Sequence, residues 1–129
     1  MSTITSVSTD STNLPASVPW LETNGVNWPI FATRFEIAVV AKDKWGHFTG
    51  ATSRPSYDIH PITEDQATEI HQWDKDEAVS RFLLSQRVHD GTLYLVRHAT
   101  TVTEQWVEIV KYYTEKGAYA QTSLRQSFL

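Results

Sequence analysis

The strongest constraint on this chain is one amphipathic segment with a start signal and a stop signal of its own. Residues 100–117 read TTVTEQWVEIVKYYTEKG. Thr101-Val102-Thr103-Glu104 has the Thr-x-x-Glu spacing of a capping box, in which two side chains satisfy backbone N–H groups of the first helical turn for about 1 kcal/mol. Stepping 100° per residue, Val102, Trp106, Ile109, Val110 and Tyr113 fall within an arc of roughly 100°, and Glu104, Glu108, Lys111 and Glu115 take the opposite side. Gly117 is a natural residue to end the helix. A helix so polarised must lay its apolar stripe on other elements, so the remaining segments have to supply a bundle around it.

They carry helical signals too. Asn27-Trp28-Pro29 is a helix start, because proline in the first turn sacrifices no intrahelical hydrogen bond. The segment 29–42 that follows places Phe31, Phe35, Ala38 and Val39 on one stripe and Ile30, Ile37 and Ala41 on another, with Val40 opposite the first. A helix apolar on most sides is either central or covered by a partner. Gly46 and Gly50 limit it, and Trp45 and Phe48 are expected to fold back onto the core. Residues 51–62 hold two prolines and no period, which predicts a loop long enough to be an exposed excursion. Thr63-Glu64-Asp65-Gln66 is a second capping-box signal and opens a helix expected to reach Val88. Ala67, Ile70, Trp73, Ala78, Phe82, Leu84 and Val88 share a face there. Asp74, Glu77 and Arg81 project onto the same face, and one helix carrying a Glu77–Arg81 pair at i,i+4 reconciles them. Asp90-Gly91-Thr92 predicts a turn and residues 93–99 a short helix. Ala120, Leu124 and Phe128 predict a further helix that runs on past Leu129.

The fold class that results is all-α, a compact bundle of about five or six helices. Residues 1–19, rich in Ser and Thr, read as a flexible leader, and residues 20–129 as the helical domain.

Little in the sequence points to catalysis. There is no cysteine among the 129 residues, which removes thiol nucleophiles, thiolate metal sites and disulfides together. The five histidines show no i,i+4 pair and no H-E-x-x-H, and surface or loop positions are expected for them. A small metal-dependent enzyme is the third and least favoured reading. The acidic run 73–77, WDKDE, reads as a solvated helix face with one ion pair. No phosphate-binding loop, dinucleotide fingerprint or nucleophile elbow occurs. No cofactor and no metal are expected, and the chain is read as a non-enzyme. A net charge of −4 with scattered basic residues argues against general nucleic-acid binding. No stretch approaches the roughly 20 apolar residues needed to span a bilayer, and no signal peptide is recognisable; cytoplasm is the expected compartment. Aromatics make 12% of the chain. Most sit at helix-face spacings beside aliphatic residues, so core packing is expected of Phe31, Phe35, Trp73, Trp106 and Tyr113; the spacing does not assign Trp20, Trp28, Tyr94 and Tyr112, and Tyr112 lies outside the main arc.

The order of these motifs resembles the Gag polyproteins of copia-type LTR retrotransposons. Gly25-x-Asn27-Trp28-x-x-Phe31-x-x-x-Phe35 is similar to that family's opening element, with Trp28 and Phe31 in place of its usual Tyr and Trp. Residues 45–50, WGHFTG, resemble the next element. Residues 73–90 resemble the third through Trp73, Glu77, Ser80, Arg81, Leu84 and Val88. Residues 101–113 resemble the fourth, T-x-x-E-x-W-x-x-L-x-x-x-Y, through Thr101, Glu104, Trp106, Ile109 and Tyr113. The resemblance covers residues 20–129. It implies a fold like a retroviral capsid N-terminal domain, a motif core of Trp28, Phe31, Phe35, Trp45, Trp73, Leu84, Thr101, Glu104, Trp106, Ile109 and Tyr113, and a structural protein that self-associates into virus-like particle shells. The partners implied are copies of itself, the rest of the Gag polyprotein, and RNA through segments outside this chain, with no membrane. Expected contact surfaces are the outer side of the 29–42 helix, the 51–62 loop and the area around Tyr112. The alternative is a domesticated Gag-derived adaptor or peptide-binding module.

Overall fold

Five helices and no strand form among the described residues, which in this computed structural model are 12–127, with side chains described as far as Gly117. They are α1 (Trp28–Ala41), α2 (Trp45–Thr49), α3 (Glu64–Ser85), α4 (Asp90–Leu95) and α5 (Val102–Ser127). The all-α expectation holds. The last helix is the spine: α5 packs against α1, α2 and α3.

Trp106 of α5 is the hub. Its indole meets the rings of Phe35 (5.2 Å), Trp45 (5.5 Å), Trp28 (5.7 Å) and Phe48 (5.8 Å), some stacked and some edge-on. Offset and edge-to-face pairs of this kind add to the area the rings bury. Trp28 also stacks on Tyr113. Trp28, Phe31, Phe35, Leu84, Ile109 and Tyr113 are all buried, with Trp45 packed against them from a half-buried position. Trp73 is the exception in the expected core: it is half-buried, lies beside His47 and donates its indole N–H to the carbonyl of Thr52 at 2.9 Å.

Several boundaries differ from the expectation, each for a local reason. Gly117 does not end α5, which continues to Ser127. The glycine is there for close approach. A Cβ at Gly117 would lie 3.1 Å from the carbonyl oxygen of Gly25, and Gly25 itself turns at φ +78°, a conformation that side chains disfavour. Two glycines let the turn before α1 rest on the back of α5. Asn27 precedes α1 as expected but makes no side-chain cap. Its amide bonds the preceding loop instead, donating to Trp20 O (2.8 Å) and accepting from Glu22 N–H (2.9 Å). α3 stops at Ser85, short of Val88, and α4 begins at Asp90, where a turn was expected, and ends at Leu95.

The leader is shorter than expected. Leu14 and Val18, within the segment 1–19, are buried in the core beside Leu21. Leu14 N–H donates to Gln86 Oε1 (2.8 Å), Leu21 N–H to Arg87 O (2.8 Å), and Arg87 Nε to Val18 O (3.2 Å). Residues 12–19 thus form an arm along the end of α3; residues 1–11 lie outside the described residues.

Candidate assembly surface

With its aromatic stripe turned inward, α1 leaves a second stripe outside. Phe31, Phe35 and Val39 are fully buried, whereas Ile30, Ile37 and Val40 are 60%, 63% and 52% exposed. The two stripes follow from the 100° step: Ile30, Thr33, Ile37, Val40 and Ala41 gather on the side away from Phe35. Glu36 and Arg34 border that stripe on opposite edges. Neither side chain makes a hydrogen bond or ion pair with another described residue. Of the two expectations for this helix, central in its bundle or covered by a partner, the first does not hold, since this stripe is exposed and no described residue covers it.

The other two expected surfaces have different characters. The 51–62 loop is fastened along α3. The guanidinium of Arg54 grips Asp74 through Nε (2.8 Å) and Nη2 (3.0 Å), Tyr57 donates its hydroxyl to Glu69, and Thr52 accepts from Trp73. Hydrogen bonding from Arg54 holds the Asp74 carboxyl below the usual carboxylate range, and donation to Glu69 raises the Tyr57 phenol above its usual value. The loop is an embroidered edge of α3, with Ile59 its one large exposed apolar residue. Tyr112 is 40% exposed and T-shaped on buried Tyr113 at 5.0 Å. Lys116 lies over its ring and donates to its hydroxyl (3.1 Å).

The start of α5 is built from the expected residues plus two that were not. Thr101 Oγ1 accepts from Glu104 N–H at 3.2 Å, and the Glu104 carboxylate accepts from the hydroxyls of Thr100 (2.6 Å) and Thr101 (3.3 Å). These bonds, Thr100 foremost, hold Glu104 below the usual carboxylate range. Behind them stands Glu77, which is buried. One of its oxygens accepts from His47 Nδ1 (2.9 Å), the other from Val102 N–H (2.8 Å). Arg81 approaches at only 3.9 Å and gives its guanidinium to Thr100 O. The acidic run is therefore not wholly a solvated face: its last member is an interior post that caps α5 from α3. His47 is likewise buried rather than on the surface. Phe82, Ala67 and Ala78, expected on the packed side of α3, are exposed, because α3 turns Glu77, Ser80, Leu83 and Leu84 inward. The Glu77–Arg81 conflict in the sequence pattern was the signal of this; its resolution needed the position of His47.

Among the described residues no group of three His, Asp or Glu side chains is placed to hold a metal ion, and no helix is long and apolar enough to cross a membrane. No family model, curated protein or solved structure matches the chain.

Proposed function

We propose that this chain is a structural, capsid-type protein that associates with copies of itself through the outer face of α1. One observation carries the reading: three aliphatic side chains of α1, Ile30, Ile37 and Val40, stand exposed in one stripe. Single exposed aliphatics are ordinary, whereas an aligned set bordered by charges marks a contact surface. The motif order that resembles copia-type Gag proteins supports shell formation as the purpose of such a contact, with the cytoplasm as its setting.

The stripe is also self-complementary. A two-fold axis parallel to α1 sets the stripe against its own copy and brings the Glu36 edge of one chain to the Arg34 edge of the other. The three side chains expose roughly 300 Å², at the low end of patches that matter and well short of the ~800 Å² per partner of a stable interface. Association of isolated chains is therefore weak, and a shell would draw its strength from many such contacts.

Sedimentation velocity from about 10 μM to about 1 mM, with electron microscopy of the concentrated samples, tests this. The expected result is a weight-average coefficient that rises with concentration and falls back to the monomer value in Ile37→Asp. Monomers throughout, or self-association indifferent to Ile37→Asp, would overturn it.

A further inference from the structure

A second apolar feature lies on other helices. Between α4 and the middle of α5 is a cleft of about 170 Å³. Thr92, Val96, Ile109 and Tyr113 are its buried floor, and Leu95 and Tyr112 stand exposed at its lip. The hydroxyls of Thr92 and Tyr113 bond each other at 2.6 Å, so the polar groups of the floor are already matched and the cleft selects for apolar shape. Its volume is close to the ~150 Å³ that accepts a benzene ring and below the ~300–1,000 Å³ of small-molecule sites. It is the size of one side chain.

The lip carries one charge. Among the described residues Glu108 is the only carboxylate or cation lining the cleft, and its side chain has no hydrogen bond or ion pair with another described residue. Two of the cations on these helices are engaged, Lys116 with Tyr112 and Arg97 over the Tyr94 ring, donating to Tyr94 O at 2.7 Å, and Lys111, three residues along α5, makes no ion pair with Glu108. A shallower hollow next to Ala99 and Val107 shares Glu108 from its other side. That hollow also carries His98, Thr103 and Glu104, so Glu108 stands at the apolar cleft's edge as an anion with no ion-pair partner among the described residues.

We propose that this cleft is a docking site for a partner polypeptide that inserts one aliphatic or aromatic side chain between α4 and α5 and sets an adjacent lysine or arginine on Glu108. Shape chooses the apolar residue and charge chooses its neighbour. The site goes beyond self-association and shares no residue with the α1 face, so the outcome of the sedimentation series does not bear on it.

The test is a titration of the ¹⁵N-labelled chain with two blocked peptides, acetyl-Gly-Leu-Lys-Gly-amide and acetyl-Gly-Leu-Glu-Gly-amide, followed by amide shifts. One seated side chain gives affinity on the order of millimolar. The expected result is saturable shifts at Thr92, Leu95, Ile109 and Tyr112, with the lysine peptide bound about two- to five-fold tighter, the range of an exposed ion pair. Glu108→Lys should fold normally, since Glu108 has no partner to lose, and should reverse the order of the two peptides. No saturable shift up to about 10 mM, equal response to both peptides, or an unchanged order in Glu108→Lys would each overturn the proposal. So would movement of the same resonances with protein concentration alone, which would make a second copy the occupant.

Discussion

Glu77 is the residue whose removal the structure prices most definitely. Its carboxylate is the sole acceptor for two buried donors, His47 Nδ1 at 2.9 Å and the Val102 N–H at 2.8 Å, and it ties α2, α3 and α5 at one point. Glu77→Ala leaves both donors without a partner. Each orphaned buried donor costs about 1–3 kcal/mol, so losing the acceptor of both should cost about 3–5 kcal/mol. Set against a total of about 5–15 kcal/mol for a domain, that is a large share. With roughly 3–5 °C per kcal/mol for a chain of this size, Tm should fall by about 10–20 °C. Urea unfolding followed by circular dichroism, with thermal melts beside it, reads both quantities. Glu77→Gln is the control for geometry. Its carbonyl can still accept from Val102, and His47 can switch tautomer to accept from the new amide, so about 1–2 kcal/mol is expected. If Glu77→Ala costs less than about 1 kcal/mol, or Gln costs as much as Ala, the post is not carrying the start of α5.

Trp106→Ala empties the centre of the ring cluster and should cost about 3–5 kcal/mol, read in the same urea experiment. Gly25→Ala forces a side chain into a left-handed turn pressed against α5 and should cost about 1–2 kcal/mol; an unchanged midpoint would deny that the Gly25–Gly117 approach is tight. Arg54→Ala releases Asp74. Because the folded Asp74 carboxyl is held below its unfolded value of about 4, its contribution is present above that pH and fades as pH falls through the lowered folded value. The small stability gap between wild type and Arg54→Ala should therefore be constant near neutrality and close in stronger acid.

The helical class, the inward aromatic stripe of α5 and the capping signals at Thr63 and Thr101 were legible because they are local: they depend on spacings of three and four residues. Thr63 and Gln66 form both halves of their capping box. What was not legible depended on where distant segments meet. Gly117 carries the chemistry of a helix stop, and only the approach of Gly25 shows why the helix runs through it. Glu77 looked like half of a surface ion pair because the partner that buries it, His47, lies thirty residues away. The arm at Leu14 and Val18 has no period of its own, and its hydrogen bonds come from Gln86 and Arg87. Of the candidate surfaces, the outer stripe of α1 was visible as excess apolarity around one helix, but which half faced out was decided by the ring cluster. Of the α4–α5 cleft only Tyr112 at its lip was visible, as a tyrosine outside the main arc of α5; the gap itself left no signal, since it lies between two helices.

The rings of Phe31, Phe35 and Trp106 face inward, and on the proposed reading the aliphatic stripe of α1 meets a copy of itself. Because the chain has no cysteine, Ile37→Cys introduces a single thiol at the middle of that stripe, where a two-fold contact sets a residue beside its own mate within the short reach of a disulfide. The decisive measurement is the rate of covalent dimer formation under mild oxidation, against Thr114→Cys, an exposed position on α5, at equal protein concentration. Capture should be several-fold faster through Ile37→Cys and should lose that advantage when Ile30→Asp is added. Equal rates at the two positions would contradict it.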